Sequence, residues 1–253
     1  MIANSPHTTN KVMQGLWVGS ELSLLERLSI ASFLNNGHEY HLYVYGDVRN
    51  VPEGTTVKDG GEILHESLIF QYKEHRSFSA FANFFRYKLL LEKGGWWVDA
   101  DTVCLKPFDF PREYVFSSET FRGRELVNCG IVKAPPGSPA MSYAWGVCCT
   151  KQRESLVWGE VGPRLMAESV ERQSLQGFVV SSRTFCPIDY LDWHSVLDPT
   201  RVWNFTDEVY AVHLWNEMWR RDRRDKNQTY HPDCLYERLK RRYLVRADQV
   251  ESQ

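Results

Sequence analysis

Residues 81–108 read FANFFRYKLLLEKGGWWVDADTVCLKPF and carry the strongest local signals in the chain. Apolar side chains recur at helical spacing over residues 77–93, and the Gly94-Gly95 pair that follows is typical of a helix end. The apolar segment 96–105 comes directly afterwards and predicts a buried strand. A long helix followed at once by a buried strand indicates an α/β fold.

Two carboxylates interrupt the predicted strand. Side chains alternate between the two faces of a strand, so we expect Asp99 and Asp101 to point to the same side. Two converging carboxylates repel each other and are costly to bury unless a cation compensates them, which makes a hard divalent metal a natural partner. The triplet alone is a weak signal, because Asp-x-Asp is common in solvated turns.

The predicted helix adds polar groups beside this pair. Asn83 and Arg86 are three residues apart and therefore share one helical face. An arginine among aromatic neighbours needs an anionic or polar partner if it points inward. It could equally pair with a structural carboxylate or extend to solvent. A cation held by two carboxylates can neutralise a diphosphate and make it a better leaving group.

The N-terminal part of the chain predicts a β-α-β unit. We expect a strand over 11–19, a helix over 21–36 capped by Ser20, and a second strand over 40–46. Such a unit implies a parallel sheet that binds ligands at the carboxyl ends of its strands. Trp17 should therefore lie at that edge.

The remaining segments predict shorter elements. Short strands are expected over 114–119 and 128–136, mostly helix over 137–172, and short strands again over 201–215. Residues 219–244 are dense in arginine and lysine with interspersed acidic residues. Such a run is usually a solvated helical face, and the alternative we weigh is contact with an anionic membrane surface or a lipid-linked acceptor.

Composition sets outer limits. The 253 residues are 43% hydrophobic and 25% charged, which is typical of one compact domain. A formal net charge of −2 argues against a nucleic-acid partner. There is no apolar run of the ~20 residues that span a bilayer, and the polar start lacks a secretory signal. The six cysteines lack CxxC spacing, so we expect free thiols and a cytoplasmic protein.

Residues 81–108 resemble the DXD sugar-binding region of retaining glycosyltransferases. That group includes globotriaosylceramide synthases, initiating mannosyltransferases and, more distantly, clostridial toxin glucosyltransferases. LWVGSELS at 16–23, NCGIV at 128–132 and AVHLWN at 211–216 resemble the family's opening strand, acceptor-side strand, and C-terminal metal and phosphate loop. The resemblance implies a GT-A fold, which is a Rossmann-like mixed sheet flanked by helices in one domain with a helical, basic C-terminal segment.

The resemblance also implies a division of the chain and an activity. We expect a disordered tail at 1–10, a nucleotide-sugar-binding half at 11–110, an acceptor half with the metal loop at 111–218, and a basic appendage at 219–253. The implied activity is metal-dependent transfer of a sugar, a hexose in the simplest case, with retention of configuration. The donor is a nucleotide sugar, with a UDP-sugar favoured over GDP-mannose, and the acceptor is a glycan, a lipid-linked molecule or another group.

Individual residues receive roles from the same resemblance. Asp101 and His213 would bind the metal, and Asp99 would reach both the ribose and the metal. A carboxylate, imidazole and phosphate ligand set suits Mn²⁺, with Mg²⁺ as a second choice. The donor-binding residues would be Trp17 against the nucleobase, Asn83 and Arg86 near the sugar or phosphate, Asp99, and Trp215, whose indole N–H would meet the departing phosphate. Arg86, Asp99 and Asp101 would be the catalytic residues, and Asn128 would lie on the acceptor side.

Some details remain open at the level of sequence. Asn83 stands where relatives commonly carry Asp, which keeps hydrogen-bonding reach but loses the charge. Gly162-Pro163 resembles a turn that relatives place near the active site. Nothing in the spacing selects a catalytic nucleophile among Glu119, Glu160 and Asp189, and by analogy we favour a front-side route. The competing functions are a metal-dependent phosphohydrolase or nucleotidyltransferase, and a sugar-binding module without turnover.

Overall fold

A computed structural model describes residues 11–74 and 76–244. The tail expected at 1–10 and the last part of the expected basic appendage, 245–253, lie outside the described residues. In chain order the helices and strands are β1 Val12–Trp17, α1 Leu24–Asn35, β2 Glu39–Val44, β3 Thr55–Asp59, α2 Ser79–Lys93, β4 Gly95–Val98, β5 Thr102–Cys104, β6 Val115–Phe121, β7 Arg124–Ala134, α3 Pro139–Thr150, α4 Pro163–Arg172, α5 Ser182–Phe185, β8 Ala211–His213, α6 Asn216–Arg221 and α7 Leu235–Tyr243.

The main sheet has six strands in the order β3-β2-β1-β4-β7-β6. The first four are parallel to one another, whereas β7 is antiparallel to both β4 and β6. Strands β5 and β8 form a separate antiparallel pair. The mixed α/β architecture predicted from the sequence is therefore confirmed. Trp17 is in register with Val44, so β1 and β2 end at the same edge.

The two faces of the sheet support two hydrophobic cores. Neighbouring residues of a strand point to opposite faces. Trp96 therefore packs into the core under α1 and α7, while Trp97 packs into the core under α2, α3 and α4. Both indoles are almost completely buried. Burial of two adjacent tryptophans on opposite sides fixes β4 in the centre of the molecule, which matters because the Asp-x-Asp triplet follows it.

Helix α1 begins three residues later than the sequence suggests. Ser23, not Ser20, is the N-cap, and its backbone N–H donates to the Glu26 carboxylate at 2.8 Å to complete a capping box. Ser20 is exposed, and its carbonyl accepts the N–H of Arg49. The contact between residues 20–22 and Arg49 holds this segment in an extended conformation, so the helix begins only at Leu24.

The strand predicted over 96–105 is broken in the middle. Asp99 still donates its N–H to the carbonyl of Gly130, but a turn follows in which Thr102 donates to the carbonyl of Asp99. The chain then leaves the main sheet and pairs with β8. Asp99 and Asp101 therefore lie in a turn, so the predicted alternation along a strand was wrong.

Two further elements differ from prediction. The polar residues expected to separate two short strands are part of one hairpin, because β6 and β7 continue to a two-residue turn at Arg122-Gly123 with φ of +50° and +75°. Within the segment 201–215, β8 is the one regular strand.

The basic C-terminal segment packs into the molecule as far as it is described. Trp219, Tyr236 and Leu239 are buried in the same core as α1. Arginines of α7, such as Arg238 and Arg241, are exposed. Residues 219–244 are therefore part of the domain rather than a separate appendage. Within the described residues no helix is both long and apolar enough to cross a bilayer. All six cysteines are free, as predicted.

We expect Ser23→Ala to lower the free energy of unfolding by about 1 kcal/mol, because the capping box is lost. Urea unfolding followed by circular dichroism measures the change. Ser20→Ala is the matched control and should leave stability unchanged. An equal loss in both variants, or a loss only at Ser20, would contradict the observed helix start.

Candidate metal and donor site

Three possible metal ligands converge from distant parts of the chain. Asp99 and Asp101 lie in the turn after β4, and His213 is the last residue of β8. One ligand atom from each lies within 4.8 Å of the other two. The β5–β8 ladder explains this approach, since it pairs Thr102 directly with His213. The convergence on which the sequence-based hypothesis depends is therefore present.

Asp101 is held from both sides. One carboxylate oxygen lies 3.0 Å from Nε2 of His213, and the other accepts the backbone N–H of Asn216 at 2.7 Å. Burial alone would raise the pKa of Asp101, but the charge and hydrogen bond of His213 and the Asn216 N–H lower it below its usual value. The carboxylate is therefore ionised and fixed in direction.

His213 is buried beside this carboxylate. Burial by itself would lower the pKa of His213, yet the charge of Asp101 raises that pKa well above its ordinary value. The other ring nitrogen, Nδ1, faces the Cys186 sulfur at 3.9 Å, and the ring packs on Trp215 with a centroid separation of 4.0 Å. These contacts leave Nε2 directed towards Asp101 and the space between the two carboxylates.

Asp99 faces the same point but is more open to solvent. Its Oδ1 accepts hydrogen bonds from Arg86 Nη2 at 2.6 Å and from the Trp97 indole at 2.7 Å. Burial raises the pKa of Asp99 and the neighbouring Asp101 adds to this, against the lowering effect of Arg86. A cation placed between the carboxylates would relieve this cost of charge, as expected for a metal site.

Arg86 points inward, as the inward alternative predicts. It is buried, donates to Asn83 Oδ1 at 2.6 Å, and has its guanidinium carbon 4.8 Å from the centre of the Trp97 ring. Its buried Nε has no hydrogen-bond partner in the described structure. Gly162 packs against the Asn83 amide, so the Gly162-Pro163 turn does lie beside this helix face.

The donor set fits a divalent cation. Two carboxylates and one imidazole offer oxygen and nitrogen ligands, and their arrangement leaves the remaining positions to a ligand or water. Within the described ranges they form the one group of three such side chains that could hold a metal. Gly130 borders two of the three, since a Cβ there would lie 3.1 Å from Asp99 Oδ2 and 3.5 Å from His213 Cε1.

The two tryptophans predicted to bind the donor occupy different settings. Trp17 is partly exposed at the end of β1 and donates its indole N–H to the carbonyl of Glu21. Trp215 is buried, and its indole N–H donates to the carbonyl of Ile188 at 3.0 Å. This differs from the predicted bond between Trp215 and a phosphate, which would require the bond to Ile188 to break.

Sequence reasoning missed Lys226. Its amine lies 5.7 Å from the centre of the Trp17 ring, bonds to Asn216 Oδ1 at 3.0 Å and pairs with the buried Glu26. It thereby connects the Trp17 edge to Asn216, whose backbone holds Asp101. No spacing marks it, because it lies within a run of basic residues that predicts a solvated face.

The acceptor-side residues also approach the cluster. Asn128 donates to Glu119 at 3.0 Å and accepts the N–H of Gly130 at 2.5 Å. Of the three carboxylates considered as nucleophiles, Glu119 is thus close to the metal ligands through Asn128 and Gly130. Glu160 is paired with Lys151, and Asp189 caps the 3₁₀ helix at Tyr190–Leu197.

Two family models match the chain. The glycosyltransferase sugar-binding region containing the DXD motif matches residues 30–121, which include Asp99 and Asp101. The alpha 1,4-glycosyltransferase conserved region matches residues 154–247, which include His213. Over these two segments the chain is similar to DXD-containing glycosyltransferases. The two halves of the candidate metal site therefore come from the two matched segments, and the matches support an enzyme that transfers a sugar.

Individual relatives agree with this family. Human alpha-1,4-N-acetylglucosaminyltransferase is 24% identical over an aligned length of 185 residues, and the match covers 63% of this chain and 51% of the human protein. The chain thus spans about half the length of that relative. The solved structure of PaToxG glycosyltransferase superposes with a TM-score of 0.51 at 15% identity, covering 65% of this chain and 69% of that one. At this identity the likeness shows the fold alone.

We expect Gly130→Ala to weaken Mn²⁺ binding by about tenfold or more, in the range seen when groups around metal ligands are changed. The added methyl would lie 2.9 Å from Asn128 Oδ1 and 3.1 Å from Asp99 Oδ2. Isothermal titration calorimetry measures the affinity. Gly146→Ala is the control, since a Cβ there meets nothing within 4 Å. Equal affinities in the two variants would show that Gly130 does not border the metal.

Proposed function

We propose that the protein is a metal-dependent glycosyltransferase that moves a sugar, in the simplest case a hexose, from a nucleoside-diphosphate sugar to an acceptor hydroxyl with retention of configuration. The observation that carries this proposal is the convergence of Asp99, Asp101 and His213 within 4.8 Å. These residues come from two segments that match glycosyltransferase family models.

The proposed metal is Mn²⁺, with Mg²⁺ as the second choice, because a mixed oxygen and imidazole set favours the softer ion. Asp101 and His213 would be direct ligands, and Asp99 would share its free oxygen between the metal and the donor ribose. When bound, the ion would neutralise the diphosphate as the bond to the anomeric carbon breaks.

The donor-binding residues would work as one hydrogen-bonded unit. Asn83 holds Arg86, and Arg86 holds Asp99, through bonds of 2.6 Å each. Arg86 would contact a donor sugar or phosphate oxygen, and it also acts on the donor site through the Asp99 carboxylate that it holds. Trp17 would stack on the nucleobase, and we favour uracil, so the donor of first choice is a UDP-sugar. GDP-mannose is the second choice.

For the route of transfer we propose the front-side mechanism favoured by analogy, in which the acceptor oxygen attacks on the leaving-group side. Glu119, which approaches the metal ligands through Asn128 and Gly130, accepts a hydrogen bond from Asn128 at 3.0 Å. The acceptor proton passes to the departing phosphate oxygen. Asn128 would lie on the acceptor side.

The rival functions fit less well. A phosphohydrolase or nucleotidyltransferase with two metals would need more acidic ligands than the single cluster within the described residues. A sugar-binding module without turnover would not need two carboxylates and an imidazole held at coordinating distance. Peripheral membrane contact rests only on exposed arginines of α7 and is not part of the proposed function.

A donor panel tests the proposal. We expect slow release of nucleotide from one preferred donor among UDP-glucose, UDP-galactose, UDP-N-acetylglucosamine and GDP-mannose in the presence of Mn²⁺, with EDTA stopping it. The third donor is included because the name of the human relative specifies N-acetylglucosamine. Asp101→Asn should abolish release, since it removes a metal ligand.

The matched control for that panel is Asp233→Asn, which makes the same change at an exposed carboxylate. It should retain full activity. Release that persists in Asp101→Asn, or that is insensitive to EDTA, would reject a metal-dependent transferase. If no donor releases nucleotide, a sugar-binding module without turnover would be the better-supported function.

For Trp17→Ala we expect donor KM to rise by about tenfold while kcat falls less, because stacking is equal in the ground and transition states and aromatic stacking on a base is worth ~1–3 kcal/mol. Steady-state kinetics with the preferred donor separates the two constants. Trp17→Tyr keeps a flat ring and should recover most of the affinity. A fall confined to kcat would place Trp17 outside the base-binding surface.

A further inference from the structure

A series of aromatic rings leads from the metal ligands to the surface. The His213 ring packs on Trp215, and the Trp215 ring lies 6.0 Å from that of Tyr190. Tyr190 in turn stacks on Phe121 with a centroid separation of 5.6 Å and an interplanar angle of 22°. The last two rings are only partly buried, and Leu191 beside them is 52% exposed.

Core packing does not explain the outer pair. Phe121 lies on β6, the edge strand of the main sheet, immediately before the Arg122-Gly123 turn. It belongs to neither of the two hydrophobic cores, although Tyr190 borders one of them. The Tyr190 hydroxyl has no hydrogen-bond partner among the described residues. A partly exposed aromatic pair beside a reaction site is a common feature of ligand-binding surfaces.

Two carboxylates adjoin the pair. Glu119 precedes Phe121 by two residues on the same strand and so shares its face, and Asp189 directly precedes Tyr190. Burial raises the pKa of Glu119, with a smaller contribution from the nearby charge of Asp189, while His213 and the Asn128 hydrogen bond oppose it. Within the described ranges neither carboxylate forms an ion pair with lysine or arginine.

Contacts connect both sides of this group to the metal ligands. On one side Glu119 accepts from Asn128, which contacts Gly130, whose carbonyl accepts the Asp99 N–H. On the other side Ile188, next to Asp189, accepts the Trp215 indole N–H. Glu119 and Asp189 therefore approach the metal ligands through Asn128, Gly130 and Ile188, and Phe121 and Tyr190 do so through the Trp215 ring.

We propose that Glu119, Phe121, Asp189 and Tyr190 form the acceptor subsite and that it takes a neutral, hydroxyl-rich sugar. This inference rests on the proposed glycosyltransferase function. The flat rings suit the apolar face of a pyranose, and the carboxylates accept hydrogen bonds from its hydroxyl groups. Two carboxylates without a paired cation disfavour an acceptor that carries its own carboxylate or phosphate. Arg122 lies at the exposed tip of the hairpin with its guanidinium over the Phe121 ring, and within the described ranges it forms no ion pair with either carboxylate.

Binding of simple glycosides tests the subsite. Saturation-transfer NMR would measure binding of methyl β-galactoside, methyl β-N-acetylglucosaminide and methyl β-glucuronide to the full chain with Mn²⁺ and UDP. We expect at least one neutral glycoside to bind, and the glucuronide to bind about tenfold more weakly or not at all. Phe121→Ala and Tyr190→Ala should each lower the affinity for the neutral glycoside by about fivefold to tenfold.

Three controls separate binding from folding. Tyr190→Phe keeps the ring and should retain most of the affinity, and Tyr143→Ala removes a surface tyrosine elsewhere and should change nothing. Thermal unfolding followed by circular dichroism should show that Phe121→Ala and Tyr190→Ala are folded at the temperature of the binding measurement. Nucleotide release without acceptor should be preserved in Tyr143→Ala.

The outcomes are distinguishable. Absence of nucleotide release by the unaltered protein would reject the proposed function, whatever the glycosides do. Normal release together with no glycoside binding, equal binding of the glucuronide, or unchanged binding in both alanine variants would reject the subsite and leave the proposed function standing.

Discussion

The contact between Asp101 and His213 is the constraint on which the rest of the site depends. The two residues are 112 positions apart, and their side chains meet at 3.0 Å because the β5–β8 ladder places Thr102 opposite His213. Two backbone bonds reinforce the arrangement: Leu214 N–H donates to the Asp101 carbonyl, and Asn216 N–H donates to its carboxylate. The pairing of β5 with β8 is therefore what brings Asp99 and Asp101 close to His213.

The main sheet fixes the position of Asp99. Trp96 and Trp97 anchor β4 in opposite cores, so the turn that follows has a fixed origin. Arg86, held by Asn83, reaches across to Asp99 and balances part of its charge. Burying these charged groups is costly unless each is paired, and the Arg86–Asp99 ion pair supplies that pairing beside the site. The fold and the site thus share the same interactions.

The sequence predicted the elements better than it predicted their connections. The β-α-β unit, helix α2 and the convergence of Asp99 with Asp101 were all expected, but the carboxylates converge through a turn rather than along a strand. That turn depends on Gly130 and β8, which are remote in sequence. Local sequence makes Ser20 a plausible N-cap, but its backbone contact with Arg49 keeps it outside the helix. His213 was found only through a family resemblance, and no local pattern marks Lys226, Phe121 or Tyr190, whose positions follow from tertiary packing.

The most direct measurement concerns the nitrogen ligand. Electron spin-echo envelope modulation of bound Mn²⁺ detects coupling to an imidazole nitrogen. The unaltered protein should show this coupling, and His213→Gln should lose it, whereas His231→Gln, a change at an exposed histidine, should keep it. Coupling that is absent from the unaltered protein, or that survives in His213→Gln, would contradict a metal held jointly by Asp101 and His213.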